Sequence, residues 1–311
     1  MHRRSFIQRC SKYGIAFGSS ILMPSAVLSM YGDDLSQLQK LTILHTNDVH
    51  SRIEPFPLDG SKYSGRGGFA KRAAIIQKIR IEEKHVLLLD AGDMFQGTPY
   101  FNYFGGELEM KLMSKMKYDV ATLGNHDFDA GIEGLYNQYS QHGAFTLVNC
   151  NYDFNDTIMN GQVLQYKIIQ KGAIKIGITG VGIELEGLVP KALYRETRYH
   201  EPTTPLNKTA LFLKQEAKCD YVICLSHLGY KSKKNRISDL DLARSTSNVD
   251  LIIGGHSHTF LDQPTSIVNK VGEEILVTQV GWAGLILGRL DVYFRPTKQK
   301  QAANSRNILV D

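Results

Sequence analysis

The sequence predicts an α/β fold, and three observations carry that prediction. From residue 41 onward one order recurs: a short apolar run, a polar cluster, then an amphipathic stretch, which is the alternation of strands and helices. The apolar runs at 41–44, 86–89, 120–123, 221–225 and 251–253 are of strand length, and several are rich in Val and Ile, as strands covered on both faces are. The 311 residues are 42% hydrophobic and 22% charged, an ordinary soluble composition that excludes disorder, collagen and coiled coil. At roughly 150 residues per domain the length suits two domains or one large α/β domain. Such a chain buries roughly three quarters of its unfolded surface, so its core needs no disulfides.

The elements follow in chain order. Arg3-Arg4-Ser5-Phe6-Ile7 precedes a small and apolar run over 13–28, Pro24-Ser25-Ala26 closes it, and no acidic residue occurs before Asp33. This describes a removable export signal over residues 1–30. It is similar to the bacterial twin-arginine type, an address and not an anchor, which predicts a periplasmic or exported protein. The run of about 16 residues, broken by Gly14, Gly18 and Pro24, is short of the about 20 that a span needs. No other stretch is long and apolar enough, so no stable membrane insertion is expected after signal removal.

After the strand at 41–44, residues 69–84 read as a helix with Ala73, Ala74, Ile76 and Ile79 on one face. Residues 107–116 and 131–142 are further helices, the former with Leu108, Leu112 and Met116 aligned. Runs 163–169 and 174–179 read as a hairpin joined at Lys171-Gly172, and 275–280 with 285–294 as another antiparallel pair. The sheet is therefore expected to be mixed. One domain is predicted over 41–294, followed by a polar tail at 295–311 that reads as a linker or frayed end.

Charge and cysteines exclude other classes. Lys and Arg number 36 against 31 Asp and Glu, a diffuse net charge of +5. The densest basic run, Lys231-Ser232-Lys233-Lys234-Asn235-Arg236, has no interleaved aromatics and reads as a solvated loop, so nucleic acid is not an expected partner. Cys10 leaves with the signal, and Cys150, Cys219 and Cys224 form neither an even set nor a CxxC pattern. They read as small buried hydrophobes.

The chemistry sits where each apolar run stops. The five runs are followed by His45-Thr46-Asn47-Asp48-Val49-His50, Asp90-Ala91-Gly92-Asp93, Gly124-Asn125-His126-Asp127, Ser226-His227 and Gly254-Gly255-His256-Ser257-His258. In open α/β sheets ligands bind at the carboxyl ends of strands, so these clusters should converge. Asp48, His50, Asp93, Asn125, His227, His256 and His258 offer oxygen and imidazole nitrogen, donors that suit Zn, Mn or Fe. A single catalytic ion takes about three protein ligands, so seven fit two divalent ions sharing one carboxylate. Asp48 and His50, like His256 and His258, can point to one side of an extended turn. Gly92, Gly124, Gly254 and Gly255 allow positive φ and close approach. His2, His45, His85, His142 and His200 lack such company and read as structural.

These blocks resemble those of the calcineurin-like metallophosphoesterases, D-x-H, G-D, G-N-H-[DE], H and G-H-x-H, and most closely the 5′-nucleotidase branch. The resemblance rests on Leu44-His45-Thr46-Asn47-Asp48-Val49-His50-Ser51, Gly92-Asp93-Met94-Phe95-Gln96-Gly97-Thr98, Gly124-Asn125-His126-Asp127-Phe128-Asp129, Gly67-Gly68-Phe69-Ala70-Lys71-Arg72 and Gly255-His256-Ser257-His258-Thr259. It implies a four-layer α/β/β/α sandwich with mixed sheets. It also implies that Asp48, His50 and His258 hold one ion and Asn125, His227 and His256 the other, with Asp93 bridging. His126 and Asp129 match the family's catalytic pair. His126, beside Asn125, can stabilise phosphoryl charge or protonate the leaving group, and Asp129 can fix its tautomer.

The implied function is hydrolysis of 5′-nucleotide phosphomonoesters by water. Alternative substrates are nucleotide sugars, 2′,3′-cyclic nucleotides and a thiosulfohydrolase-like ester, and the non-enzyme alternative is a metal-holding binding subunit. The wider branch continues into a C-terminal domain that supplies the base pocket, whereas this sequence stops at Asp311. A separate polypeptide supplying that half, or a broad substrate range, is therefore expected.

Overall fold

The structure, a computed structural model, describes residues 38–232 and 236–311. The export signal expected over 1–30 lies outside the described residues, as do Lys233, Lys234 and Asn235 of the basic run. The first sheet is built from β1 (Gln39–Thr46), β2 (Val86–Asp90), β3 (Val120–Ala121), β4 (Thr146–Val148), β6 (Val163–Leu164), β14 (Ile286–Phe294) and β15 (Lys300–Leu309). A second contains β7 (Tyr166–Lys171), β8 (Ile174–Gly182), β10 (Tyr221–His227), β11 (Leu251–Gly254), β12 (Thr265–Val268) and β13 (Glu274–Thr278). A short antiparallel pair, β5 (Tyr152–Asp153) and β9 (Arg198–Tyr199), forms the third.

In the first sheet the order is β15-β14-β1-β2-β3-β4-β6, parallel from β1 onward. In the second it is β12-β13-β11-β10-β8-β7, with a parallel centre and antiparallel edges. The two-residue period of a strand decides which side chain goes where. Leu87 and Leu89 join Tyr221, Ile223, Leu225, Leu251 and Ile253 in a core between the sheets. Leu44 and Leu88 point the other way, against α1 (Phe69–Glu82), α2 (Pro99–Phe104), α3 (Glu107–Lys115) and α4 (Gly131–His142). Past the short helix α5 (Lys191–Tyr194), α6 (Thr203–Gln215) and α7 (Asp239–Ser245) cover Val222, Cys224 and Ile252 on the far side of the second sheet. The result is the α/β/β/α sandwich.

Four expectations need correction. Residues 300–309 are not a frayed tail but β15, which pairs antiparallel with β14 along Ile286–Phe294. Edge position explains the polar sequence, since its outer side faces water. The stretches 275–280 and 285–294 do not pair: β13 lies between β11 and β12, whereas β14 joins β1 in the other sheet. Likewise 163–164 belongs to the first sheet, and the hairpin begins at Tyr166. On α3 the buried residues are Glu109, Met110 and Met113, and on α1 Arg72 replaces Ala74 inside, its guanidinium 4.2 Å over the Phe69 ring. Charge at position 72 masked that face in the sequence.

His45, near the end of β1, is fully buried opposite Gly288, and neither ring nitrogen has a hydrogen-bond partner among the described residues. Burial lowers its pKa to about 3. Below about pH 6.5 the unfolded chain therefore takes up a proton that the folded chain refuses, and stability falls as pH falls. This residue alone removes roughly 2 kcal/mol between pH 7 and pH 5. Buried Asp90 and Asp239, pushed up to about 7 by burial, pull the opposite way, so a variant isolates the imidazole. Urea unfolding of His45→Phe should lack that acid-side loss; an unchanged difference between the two pH values would remove the assignment.

Candidate metal centre

All seven candidate donors lie at carboxyl ends of parallel strands. Asp48 and His50 follow β1, Asp93 follows β2, Asn125 follows β3, His227 ends β10, and His256 and His258 follow β11. They converge by a different route from the extended turns expected. Asp48, His50, Asp93, His256 and His258 all have φ between 49° and 68°. Left-handed backbone is costly for non-glycine residues and persists only where surroundings over-determine it. Here the loops are laced together: the Asp48 and His50 amides donate to the Gly92 and Asp93 carbonyls at 2.9 and 3.1 Å. Among the flanking glycines, Gly92 does take positive φ, at 88°. Gly124 serves close approach, because a Cβ there would meet the Asp93 carboxylate and the His227 ring.

The side chains form two adjoining groups, Asp48–His50–His258 and Asp93–His227–His256, each with donor atoms within 4.8 Å of one another. His258 Nε2 lies 3.3 Å from Asp48 Oδ1 and 3.0 Å from His50 Nε2. His50 Nε2 is 3.7 Å from Asp93 Oδ2, and His227 Nε2 is 3.0 Å from the same oxygen, so Asp93 stands between the groups. Asn125 joins the second group, its Oδ1 2.9 Å from His256 Nδ1. Among the described residues no such group includes His45, His85, His142 or His200.

The ring orientations test whether cations fit. His227 Nδ1 donates to the Ala91 carbonyl at 2.7 Å, which fixes a proton there and turns Nε2 toward the other donors. That Nε2 is fully buried and lies 3.0 Å from a carboxylate oxygen of Asp93. A ring nitrogen and a carboxylate oxygen so placed need a positive charge between them, supplied by a second ring proton or by a cation. His50 repeats the pattern, with Nδ1 3.2 Å from the Phe95 and Gln96 carbonyls and Nε2 toward the donors. Burial, then the charge of His227, lowers the His256 pKa to about 4. At His227 burial is overridden by Asp93 and Asp48, and the value rises to about 10. Although buried, Asp93 is held below the usual carboxylate range by His227 and His50. The donor set and its field fit a pair of divalent cations.

His126 sits at the rim, its side chain 43% exposed, with Nδ1 2.8 Å from Asp129 Oδ2. That hydrogen bond, against the effect of burial, raises the ring's pKa. The His126 amide also donates to Asp93 Oδ1 at 2.8 Å, linking the rim to the Asp93 carboxylate.

Several supporting residues had no sequence signal of their own. Buried Asp127 accepts from the amides of Asp93, Met94, Phe95 and Gly124 and so ties two donor loops together. Asn47 donates to Asp48 Oδ2 at 2.6 Å and pairs with Gly281 and Val280. Gln279 bonds Gly255 and Thr259, bracing the loop of His256 and His258. Asp127 was visible only as a neighbour of the His126 block, and Gln279 is far from every motif.

Comparison with known proteins agrees with this geometry. The family described as Calcineurin-like phosphoesterase matches residues 41–260. The snake venom 5′-nucleotidase of Crotalus adamanteus is 36% identical over 278 residues, covering 82% of this chain and 45% of that protein. The 5′-nucleotidase precursor of Thermus thermophilus superposes with a TM-score of 0.77 at 31% identity, over 87% of this chain and 54% of the other. The NAD nucleotidase of Haemophilus influenzae gives 0.75 at 28%, over 88% and 56%. The chain thus spans about half the length of the curated relatives it matches.

Proposed function

We propose, from the premise that the chain belongs to the calcineurin-like phosphoesterase family, that it hydrolyses 5′-nucleotide phosphomonoesters with two divalent cations. The observation that carries this reading is buried His227, whose Nε2 lies 3.0 Å from Asp93 beside the Asp48–His50–His258 group. Asp48, His50 and His258 would hold one cation and Asn125, His227 and His256 the other, with Asp93 reaching both. When bound, such a pair supplies Lewis acidity toward a phosphoryl oxygen and makes water a nucleophile at neutral pH. The chain's own residues do the rest. Asp129 holds the His126 Nδ1 proton, leaving the opposite ring edge to meet a phosphoryl or leaving-group oxygen. No side chain need attack phosphorus, since water serves.

The 5′-nucleotide preference is supported by the names of the two nucleotidase relatives and by Phe95-Gln96-Gly97-Thr98 after the shared carboxylate. Export is supported by the paired arginines and apolar run before residue 30. Among the described residues no helix is long and apolar enough to cross a membrane.

Substrate hydrolysis by the Mn²⁺-loaded full chain, followed by chromatography of the nucleoside and nucleotide products, should favour 5′-AMP over 2′,3′-cyclic AMP and a nucleotide sugar by at least about tenfold in kcat/KM. Turnover confined to the cyclic or sugar substrates would transfer the site to the alternative esters. Absence of any turnover in protein shown to hold cations would leave a binding subunit.

A further inference from the structure

We propose that Trp282 is the positioning residue that aims His258 at its cation, doing by ring stacking what hydrogen bonds do for His227 and His50. The inference rests on the dimetal reading above. A metal-binding imidazole is usually oriented through its second nitrogen, which donates to a carbonyl or carboxylate. His227 uses Ala91 in this way and His50 uses Phe95 and Gln96. For His258, the most exposed of the seven donors, no such bond to Nδ1 is found among the described residues. Its ring instead lies parallel to the Trp282 indole, with centroids 5.8 Å apart and planes 8° from coincident.

Trp282 is itself held firmly. Phe56 and Tyr63 meet it edge-on, with centroids at 5.9 and 6.3 Å and interplanar angles of 81° and 82°. Its flanking residues Gly281 and Ala283 are left-handed, at φ 76° and 56°, a tight turn that fixes where the indole points. That turn is tied to both donor loops: the Ala283 amide donates to the Asp48 carbonyl at 2.7 Å, and the Gly281 amide to Thr259 at 2.9 Å. The indole plane is therefore registered against Asp48, the other donor of the same group, and an imidazole stacked on it keeps Nε2 directed there.

Trp282 is the only tryptophan in the sequence, so its emission reports on this stack alone. Metal-free full-length protein is titrated with Zn²⁺, followed by Trp282 emission and, in parallel, by elemental analysis after gel filtration. Emission should change with one of two bound equivalents, and His258→Ala should abolish that change. In Trp282→Ala the affinity for one equivalent should fall about tenfold, and Trp282→Phe, which retains a stacking ring, should restore most of it. Two bound equivalents with unaltered wild-type emission, or wild-type affinities in Trp282→Ala, would overturn the proposal. No bound Zn²⁺ in the wild-type protein would instead sink the dimetal reading on which it stands.

Discussion

Asp93→Asn loses cations and catalysis together. On the proposed assignment Asp93 reaches both cations: its Oδ2 is 3.0 Å from His227 Nε2 in its own group and 3.7 Å from His50 Nε2 in the other. The substitution is nearly isosteric, so packing is little disturbed, but it removes the charge and puts an NH₂ donor among cations and imidazoles. Divalent cations supply several kcal/mol of transition-state stabilisation, so activity should drop by roughly a thousandfold or more. Elemental analysis of the purified variant should show less than the full pair, with far-UV circular dichroism as in wild type. A folded variant holding both cations at full turnover would remove Asp93 from its shared position.

His126→Ala separates chemistry from binding. The ring contributes no atom to either donor group, yet its centroid is 5.4 Å from that of His50 and its Nδ1 is engaged by Asp129. Loss of a positioned acid or base costs about 10²- to 10⁴-fold in rate. The effect should appear in kcat while cation content stays at the wild-type level. Asp129→Asn keeps the ring but weakens its anchor and should fall between wild type and His126→Ala. Equal kcat in wild type and His126→Ala would leave the pair as a structural contact.

The donors were legible in the sequence because strand-end chemistry is local: each motif abuts the apolar run that positions it. Asn125 and His227 were found from a single block and a single residue, since the strand before each fixes where the next side chain emerges. What was not legible depended on contacts between distant segments. Gln279 braces Gly255 and Thr259 across the sheet, and Asp127 gathers amides from two loops, with nothing in either residue's own surroundings to announce it. The edge strand β15 was missed for a related reason. Its residues, half-buried or exposed along both faces, lack the apolar alternation that marks a strand, and only its ladder to β14 reveals it. Arg72 misled in the opposite sense, being a charge that lies inside. The left-handed turns at Asp48, His50, Asp93, His256 and His258 are also invisible to propensity, which disfavours them.

The division of donors between the sheets has a thermodynamic result. Asp48, His50, Asp93 and Asn125 follow strands of one sheet, whereas His227, His256 and His258 belong to the other. On the proposed assignment each cation is gripped from both halves at once, like a rivet through two plates. Occupancy and cohesion of the halves then share one thermodynamic cycle, in which free cation concentration sets how hard the plates are clamped. Chelation would act on the architecture as well as on turnover, and whatever loosens the seam between the plates would weaken the grip on both cations.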